Sequence, residues 1–286
     1  MIKPSTFSIV AYEPETKSWG IAVASKFPAV GAVVPWAKAP FGAIATQSYA
    51  NTTFGPIGLD LLAKGATASE AFDSLRASDP GIETRQVGIV DSRGQGFTFT
   101  GKECMDWAGG FAGPNYAVQG NILAGEAVVL AMRDTFLSHS GLFWQRLLSA
   151  LKAGEAAGGD KRGKQSAAIL VVRENGGYAG FNDRLIDYRV DDDPDPLPRL
   201  WAMLEYNELL FGKSPESDKL PINGEVAREL ARIIGYHSTD LNQDQSAFRA
   251  ALNAYIGSEN LEDRCDLTTM TIDKPAYEFL LRRTTA

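Results

Sequence analysis

Four short apolar segments precede the first helical segment of the chain, and this order constrains the fold more than any other feature. Each segment is rich in Val, Ile, Ala or Phe and is bounded by turn-forming residues, which is typical of β-strands. They span residues 6–12, 20–25, 31–36 and 42–47. Because short connections join consecutive strands, we expect the four strands to be antiparallel.

Two further rounds of helices and strands follow. The pattern predicts helices over 58–64 and 67–78, a hairpin of 86–91 with 97–100, and a strand over 116–119. Helices over 124–137 and 142–153 then precede strands over 166–173 and 185–190. Thr67 and Glu70 have the spacing of a helix-capping box. Strands alternating with helix pairs predict an α+β sandwich of two sheets with helix layers outside.

The composition changes at residues 191–196, which are all Asp or Pro. Prolines interrupt helices and sheets, so a domain boundary is expected here. Helices are predicted over 200–210, 225–234 and 246–256. We therefore predict a domain over 1–193, a helix and linker over 194–221, and a small helical C-terminal domain over 222–286.

Charge and cysteine content limit the partners. The net charge is −7, which argues against nucleic-acid binding because phosphate recognition needs clustered cations. Cys104 and Cys265 form no CxxC pair, and neither a secretory apolar region nor a membrane span is recognisable. We expect a cytoplasmic homo-oligomer that acts on a small molecule.

The segment 158–166 nearly matches the phosphate-binding GxxxxGK[ST] pattern, but Gln165 replaces the hydroxyl residue. The segment also follows a predicted helix and leads into a strand, whereas a P-loop follows a strand and opens a helix. Nucleotide binding is therefore disfavoured. Six successive non-apolar residues beside a buried strand still favour a functional site.

Asp191, Asp193 and Asp195 have the alternating spacing of a calcium-binding loop, but the Gly and the Glu that such a loop needs at later positions are absent. We expect neither a metal nor a cofactor.

With only two His residues, the chain can still perform nucleophilic chemistry if an α-amino group is the base. Thr6 begins the first strand and Lys38 lies 32 residues later, which fits a hydroxyl nucleophile with a nearby cation. The alternative is that Thr6 is an ordinary β-branched strand residue and Lys38 a surface cation.

Six strings in order resemble an uncharacterised bacterial and archaeal domain family placed in the N-terminal-nucleophile (Ntn) hydrolase-like superfamily. They span residues 6–11, 20–27, 33–38, 42–47, 119–126 and 158–166. The similarity covers about residues 5–193, and later residues resemble an extension described as peptidoglycan-binding. The resemblance implies a four-layer αββα sandwich and a peptidoglycan fragment as ligand of the C-terminal module.

By this resemblance Thr6 takes the nucleophile position, Lys38 the activating cation, and Asp160 the acidic residue that orients the amino group. Gly120 and Asn121 precede a helix, where oxyanion donors sit. Two departures matter. Ser25 and Lys26 replace the usual acidic residue after the second strand, and residues 1–5 precede Thr6, so its amine is free only after cleavage between Ser5 and Thr6.

The function implied is hydrolysis of an amide or ureido bond in a small anionic substrate. The anion is expected in a cleft that carries most of the candidate residues. Its predicted lining consists of Ser25, Lys26, Lys38, Gln47, Gly120, Asn121, Glu126, Lys161, Arg162, Lys164 and Gln165. Ser8 and Ser25 are the next candidates for nucleophile. The alternative is a non-catalytic protein that binds a small ligand or glycan.

Overall fold

The computed structural model describes residues 6–237 and 245–283. The chain forms two compact units, the first ending at Ala202 and the second beginning at Met203. None of the described helices is long and apolar enough to cross a membrane. The elements of the first unit are β1 (Thr6–Glu13), β2 (Ser18–Ser25), β3 (Pro35–Lys38), β4 (Gly42–Ser48), α1 (Phe54–Ala63), α2 (Ala68–Ser78), β5 (Arg85–Asp91), β6 (Gly96–Thr100), β7 (Gly109–Gly113), β8 (Tyr116–Asn121), α3 (Glu126–Ser138), α4 (Phe143–Ala156), β9 (Ser166–Arg173) and β10 (Arg184–Val190). Helix α5 (Pro196–Phe211) contains the boundary between the units.

The strands form two antiparallel sheets, as the alternation of elements predicts. One sheet has six strands in the order β10-β9-β2-β1-β8-β7, and the other has four in the order β3-β4-β5-β6. The first unit is therefore a mixed α+β fold in which consecutive hairpin strands pair as neighbours, whereas β1 also pairs with the distant β8.

The two sheets pack face to face around one apolar core. Val10 and Val23 of the larger sheet and Ala45 of the smaller belong to the same buried cluster. On the other face of the smaller sheet, Ile44 packs with residues of α1 and α2. Because successive side chains of a strand point to opposite faces, neighbouring positions 44 and 45 serve different cores. Each fully buried large apolar side chain contributes about 1.5–3 kcal/mol.

Helix α4 covers the outer face of the larger sheet at close range. A Cβ atom at Gly20 of β2 would lie 2.7 Å from Leu147 Cδ1 and 2.9 Å from Phe143 Cε1. Glycine at this position therefore allows the helix to approach the strand directly.

Several boundaries differ from the sequence predictions for identifiable reasons. The strand predicted over 31–36 begins only at Pro35, since Val30–Ala32 form a 3₁₀ turn. Strand β7 was not predicted, because its sequence is rich in glycine and its geometry comes from pairing with β8. The acidic proline stretch does not end regular structure, since Pro196 opens α5, where a missing N–H costs nothing. The predicted capping box of Thr67 and Glu70 is present.

The second unit combines three helices with a small sheet. The helices are α6 (Gly224–Ile233), α7 (Gln245–Ser258) and α8 (Lys274–Arg283), and the antiparallel strands β11 (Lys219–Pro221), β12 (Cys265–Asp266) and β13 (Thr271–Asp273) pair in the order β11-β13-β12. The sequence predicted the first two of these helices but not the sheet, whose strands are only two or three residues long. Leu230, Phe248 and Leu280 lie in its apolar core.

A buried arginine ties the second unit together. The Arg264 guanidinium donates to the carbonyls of Leu209 and Glu208, at 2.6 and 2.5 Å, near the end of α5. It also donates to Asp273 Oδ2 at 2.9 Å. Carbonyls at a helix C-terminus lack intrahelical donors, so the guanidinium satisfies them and its charge is matched by Asp273.

Candidate functional site

The first residues of β1 lie where the two sheets meet. Thr6 is paired with Ser25 of β2 on one side and with Asn121 of β8 on the other. The Thr6 and Ser25 Oγ atoms are 3.2 Å apart, and both side chains are buried. Thr6 is therefore held between two strands with its hydroxyl hydrogen-bonded to a second hydroxyl.

A cavity of about 310 Å³ opens beside Thr6, which is room for roughly ten water molecules. This Thr6 cavity is lined by Thr6, Phe27, Val30, Val33, Val34, Gln47, Ser48, Tyr49, Ala50 and Arg85. Its size is at the lower end of the range for small-molecule sites. Phe27, Val30, Val33, Val34 and Ala50 are apolar, whereas the other lining residues carry hydroxyl, amide and guanidinium groups.

Buried amides connect the cavity to the interior, and we call this group, Ser8, Gln47, Gln86, Gln119 and Asn121, the amide network. Gln47 Nε2 donates to Gln86 Oε1 at 2.9 Å and lies 3.4 Å from the Thr6 carbonyl. Its Oε1 accepts the Ser8 hydroxyl at 2.7 Å. The amide of Gln47 is thus fixed in one orientation, and it holds the backbone at Thr6.

The network continues across both sheets. Gln86 Oε1 also accepts Asn121 Nδ2 at 2.9 Å, and Gln86 Nε2 donates to the Gly120 carbonyl at 2.8 Å. Gln119 Nε2 donates to Ser8 Oγ at 2.7 Å. A Cβ atom at Gly88 would lie 2.3 Å from Gln119 Oε1, so glycine provides the space for this side chain. All five network side chains are uncharged and fully buried, which makes this end of the sheets rigid without ionised groups.

Arg85 forms the charged part of the cavity wall. Its Nε donates to Asp79 Oδ2 at 2.9 Å and its Nη1 to the Tyr49 carbonyl at 2.6 Å. Asn51 Nδ2 donates to the same Asp79 oxygen at 2.9 Å, so the loop after β4 is fastened to the pair. The Arg85 hydrogen bond, against the opposing effect of burial, lowers the pKa of Asp79 to about 2.

Cys104 contacts the strand that carries Arg85, since its Sγ donates to the Arg85 carbonyl at 3.3 Å, and Ser48 of the cavity lining is its neighbour. Burial raises the pKa of the Cys104 thiol, whereas the neighbouring Ser48 hydroxyl lowers it by a smaller amount. The Ser48 backbone has a φ of 66°, in the left-handed region. Within the described residues its hydroxyl has no partner at hydrogen-bond geometry, in spite of its effect on the thiol. Cys104 is therefore a buried neutral thiol at neutral pH.

The structure brings Thr6, Ser25, Gln47, Gly120 and Asn121 together but does not bring Lys38 to them. Lys38 pairs with Gly42 at the start of β4, whereas Gln47, near the end of that strand, reaches Thr6. Five residues of strand separate these positions by about 16 Å. The Lys38 ammonium is exposed and lies 5.6 Å from the centre of the Phe41 ring.

Asp160 lies beside the end of β2 and binds backbone. Its Oδ2 accepts the Lys26 N–H at 2.9 Å, its Oδ1 accepts the Arg162 N–H at 2.8 Å, and the Arg162 guanidinium contacts the same carboxylate at 3.2 Å. The Asp160 carboxylate is thus engaged in shaping the loop, which we call the 160–165 loop.

The remaining predicted cations do not form an unpaired cluster. Lys164 Nζ contacts Asp195 and Glu155 at 2.7 and 2.6 Å, and these two carboxylates, Asp195 first, raise its pKa. Lys26 Nζ donates to the Lys164 carbonyl at 3.1 Å. The other predicted residues lie at the surface: Gln165 donates to Asp192 at 3.0 Å, and Lys161 and Glu126 are exposed.

Arg85, Gln86 and Gln119 were missed at the sequence level. A signal existed for the amides, because each occupies an inward position of an otherwise apolar strand, where a polar residue needs buried partners. Arg85 gave no such signal, since its pairing with Asp79 depends on the turn between α2 and β5.

Comparison with known proteins identifies two regions. Residues 6–200 match the family described as "Family of unknown function (DUF1028)", and residues 210–280 match the family described as "Putative peptidoglycan binding domain". Among solved structures, the chain is similar to protein SPO2555 from Silicibacter pomeroyi, a crystal structure assigned to the same first family. The two are 29% identical with a TM-score of 0.65, over 79% of this chain and 93% of that chain. A search of curated proteins found no match.

The first of these regions covers more than half of the chain, and the similar crystal structure carries the same family assignment. The chain therefore belongs to the DUF1028 family, a family of unknown function.

Proposed function

We propose that the first unit is an Ntn-hydrolase-like αββα sandwich and that Thr6, once its amine is exposed, is the nucleophile of a hydrolase. The observation that carries the proposal is the position of Thr6, which is the first residue of β1 and lines the 310 Å³ Thr6 cavity. The substrate class is a small molecule with an amide or ureido bond.

The chemistry would proceed in two steps. The Thr6 amine removes the hydroxyl proton as Oγ1 attacks the substrate carbonyl carbon, and the C–N bond breaks as the leaving nitrogen takes that proton. Water then hydrolyses the Thr6 ester and regenerates the hydroxyl. Gln47 would fix the Thr6 carbonyl, and Ser25 Oγ, 3.2 Å from Thr6 Oγ1, would orient the hydroxyl. Asp160 would act through the Lys26 backbone that it binds.

A β-lactone probe tests the nucleophile, because its strained carbonyl acylates an activated hydroxyl without a separate leaving group. Protein purified after cleavage before Thr6 should gain one probe mass, located at Thr6 by peptide mass spectrometry. Thr6→Ala should abolish the adduct, while Thr52→Ala, a control at an exposed threonine, should leave it unchanged. An adduct of equal yield on Thr6→Ala would move the nucleophile elsewhere, with Ser8 and Ser25 to be tested next.

A second candidate is binding without catalysis at the same cavity. It is favoured by the position of Lys38, which does not supply the cation that the nucleophilic scheme needs near Thr6. Under this alternative the chain keeps residues before Thr6 in the cell and binds its ligand unchanged.

For the second unit we propose binding of a peptidoglycan fragment, supported by the family match over residues 210–280. An open groove of about 690 Å³ between α7 and β12 offers Arg249, Asn253 and Asp266 for polar contacts. Co-sedimentation of the full chain with purified peptidoglycan tests this. Asn253→Arg should reduce the bound fraction at least tenfold, and Arg228→Gln, on α6, should not.

A further inference from the structure

Arg85 is the one charged side chain among the described residues that line the Thr6 cavity. A guanidinium has five N–H groups. Two of them contact Asp79, from Nε at 2.9 Å and from Nη2 at 3.5 Å, and one from Nη1 reaches the Tyr49 carbonyl at 2.6 Å. One N–H on each terminal nitrogen is left over from these contacts, and a pair of this kind matches the two oxygens of a carboxylate.

The position of the guanidinium is fixed. Asp79 is bound in turn by Asn51 and by the Gly81 N–H at 2.8 Å, and a Cβ atom at Gly81 would lie 3.0 Å from Arg85 Nη2. Arg85 is mostly buried, with 22% of its side chain exposed. A clamped, partly desolvated guanidinium loses little conformational entropy when it binds an anion.

The charge balance selects the kind of anion. Asp79 already matches the single positive charge of Arg85, and its depressed pKa keeps it ionised at neutral pH. A dianionic phosphate would be repelled by that carboxylate without a second cation to offset it. A monoanionic carboxylate accepts from the remaining N–H groups of Arg85, and because it carries half the charge, its repulsion by Asp79 is half as large.

The apolar part of the lining selects what the carboxylate is attached to. Phe27, Val30, Val33 and Val34 are the large apolar residues that line the cavity. Short branched apolar groups match such a surface, and burial of each CH₂ group contributes about 0.8 kcal/mol. The cavity therefore suits a ligand with a carboxylate at one end and a short aliphatic group beside it.

We propose that Arg85 binds the carboxylate of a small aliphatic ligand in the Thr6 cavity, and that the substrate carries such a carboxylate near its scissile bond. The second half rests on the proposed function, whereas the binding itself does not require Thr6 to react. In this role a single arginine replaces the predicted cationic cleft of Lys26, Lys38, Lys161, Arg162 and Lys164.

Isothermal titration of the full chain with isovalerate tests the binding, with isovaleramide and inorganic phosphate as comparison ligands. Isovalerate should bind in the millimolar range and at least tenfold more tightly than either. Arg85→Gln should weaken isovalerate at least tenfold, whereas Arg93→Gln, which removes an exposed arginine on the turn after the same strand, should change it less than twofold.

Arg85→Gln also removes a partner of Asp79, so a second variant is needed in case that chain does not fold. Val33→Phe places a larger side chain in the cavity lining and leaves the Arg85 contacts intact, and it too should abolish isovalerate binding. Equal affinity for isovalerate and isovaleramide, tighter binding of phosphate, or unchanged binding in folded Arg85→Gln would overturn the proposal. Isovalerate has no C–N bond to break, so the titration measures its binding whether or not Thr6 reacts, and a failure of the proposed hydrolysis would leave this result standing.

Discussion

The Thr6 cavity and the 160–165 loop use charge in opposite ways. The loop is rich in cations, yet Lys164 is paired with Asp195 and Glu155 and Arg162 with Asp160. The cavity adjoins the uncharged amide network and is lined by one arginine, two of whose N–H groups are not used in its contacts with Asp79 and Tyr49. The number of cations in a segment therefore does not indicate how much charge a ligand would meet. What matters is how many of those cations already have partners.

The largest difference between the two regions should appear in stability. Gln86→Leu removes one hydrogen-bond partner each from Gln47 Nε2, Asn121 Nδ2 and the Gly120 carbonyl, all of which belong to buried residues. We expect a loss of about 3 kcal/mol in the free energy of unfolding, measured by urea denaturation. Gln95→Leu, at an exposed turn of the same sheet, should cost less than about 0.5 kcal/mol. Equal values for the two variants would show that the network is not a structural unit.

Removal of the loop's central carboxylate should have a smaller effect. Asp160→Ala takes a charged acceptor from the Lys26 and Arg162 N–H groups, which we expect to cost about 2 kcal/mol. Asp192→Ala removes an exposed carboxylate that accepts from Gln165 and should cost less than about 0.5 kcal/mol. The measurement is again urea denaturation, and hydrogen exchange at residues 26 and 162 should accelerate in Asp160→Ala alone. If Asp160→Ala left the free energy of unfolding unchanged, the backbone alone would determine the shape of the loop.

Acid should weaken the Asp79–Arg85 ion pair at the cavity. The pKa of Asp79 is lowered from 3.8 to about 2 by its hydrogen bond to Arg85. A depressed pKa in the folded state adds stability above the unfolded value, and that stability is lost as the pH falls from about 4 towards 2. Solvent reaches Arg85, so we expect about 1 kcal/mol rather than the full value of the shift. The unfolding curves of wild type and Asp79→Asn should therefore differ at pH 5 and converge at pH 2. If the difference in stability between the two proteins were the same at pH 5 and pH 2, Asp79 would stabilise the fold without a contribution from its charge.

The smallest effect is expected for the most prominent cation of the loop. Lys164→Gln breaks two ion pairs, but 39% of the lysine side chain is exposed. We expect a change below about 1 kcal/mol that shrinks further in 1 M NaCl. Thermal unfolding at low and high salt measures it. A salt-independent loss above 2 kcal/mol would make the loop, rather than the cavity, the electrostatic centre of the first unit.

Much of the fold could be predicted because it rests on local patterns. Short apolar segments bounded by turn-forming residues indicated β1, β2 and β4, and the spacing of Thr67 and Glu70 indicated the start of α2. Strand β7 could not be found this way, since its residues become a strand only by pairing with β8. The three short strands of the second unit could not be predicted from the sequence for the same reason.

The sequence predicted some of the residues that the fold brings together at the candidate site, but it did not contain the strand register that excludes Lys38 from it. Thr6, Ser25, Gln47 and Asn121 meet because β1, β2 and β8 pair at the same end. The 32-residue spacing from Thr6 to Lys38 contains no information about which end of β4 lies beside Thr6. The pairing of Lys38 with Gly42 decides this, and it is a property of the folded sheet.

The intact mass of the protein purified from actively growing cells of its native host tests whether Thr6 becomes an exposed nucleophile. If it does, we expect a mass that lacks residues 1–5, with Thr6 at the new N-terminus. A mass that retains Ser5 in the whole population would contradict it and leave the Thr6 cavity as a binding site.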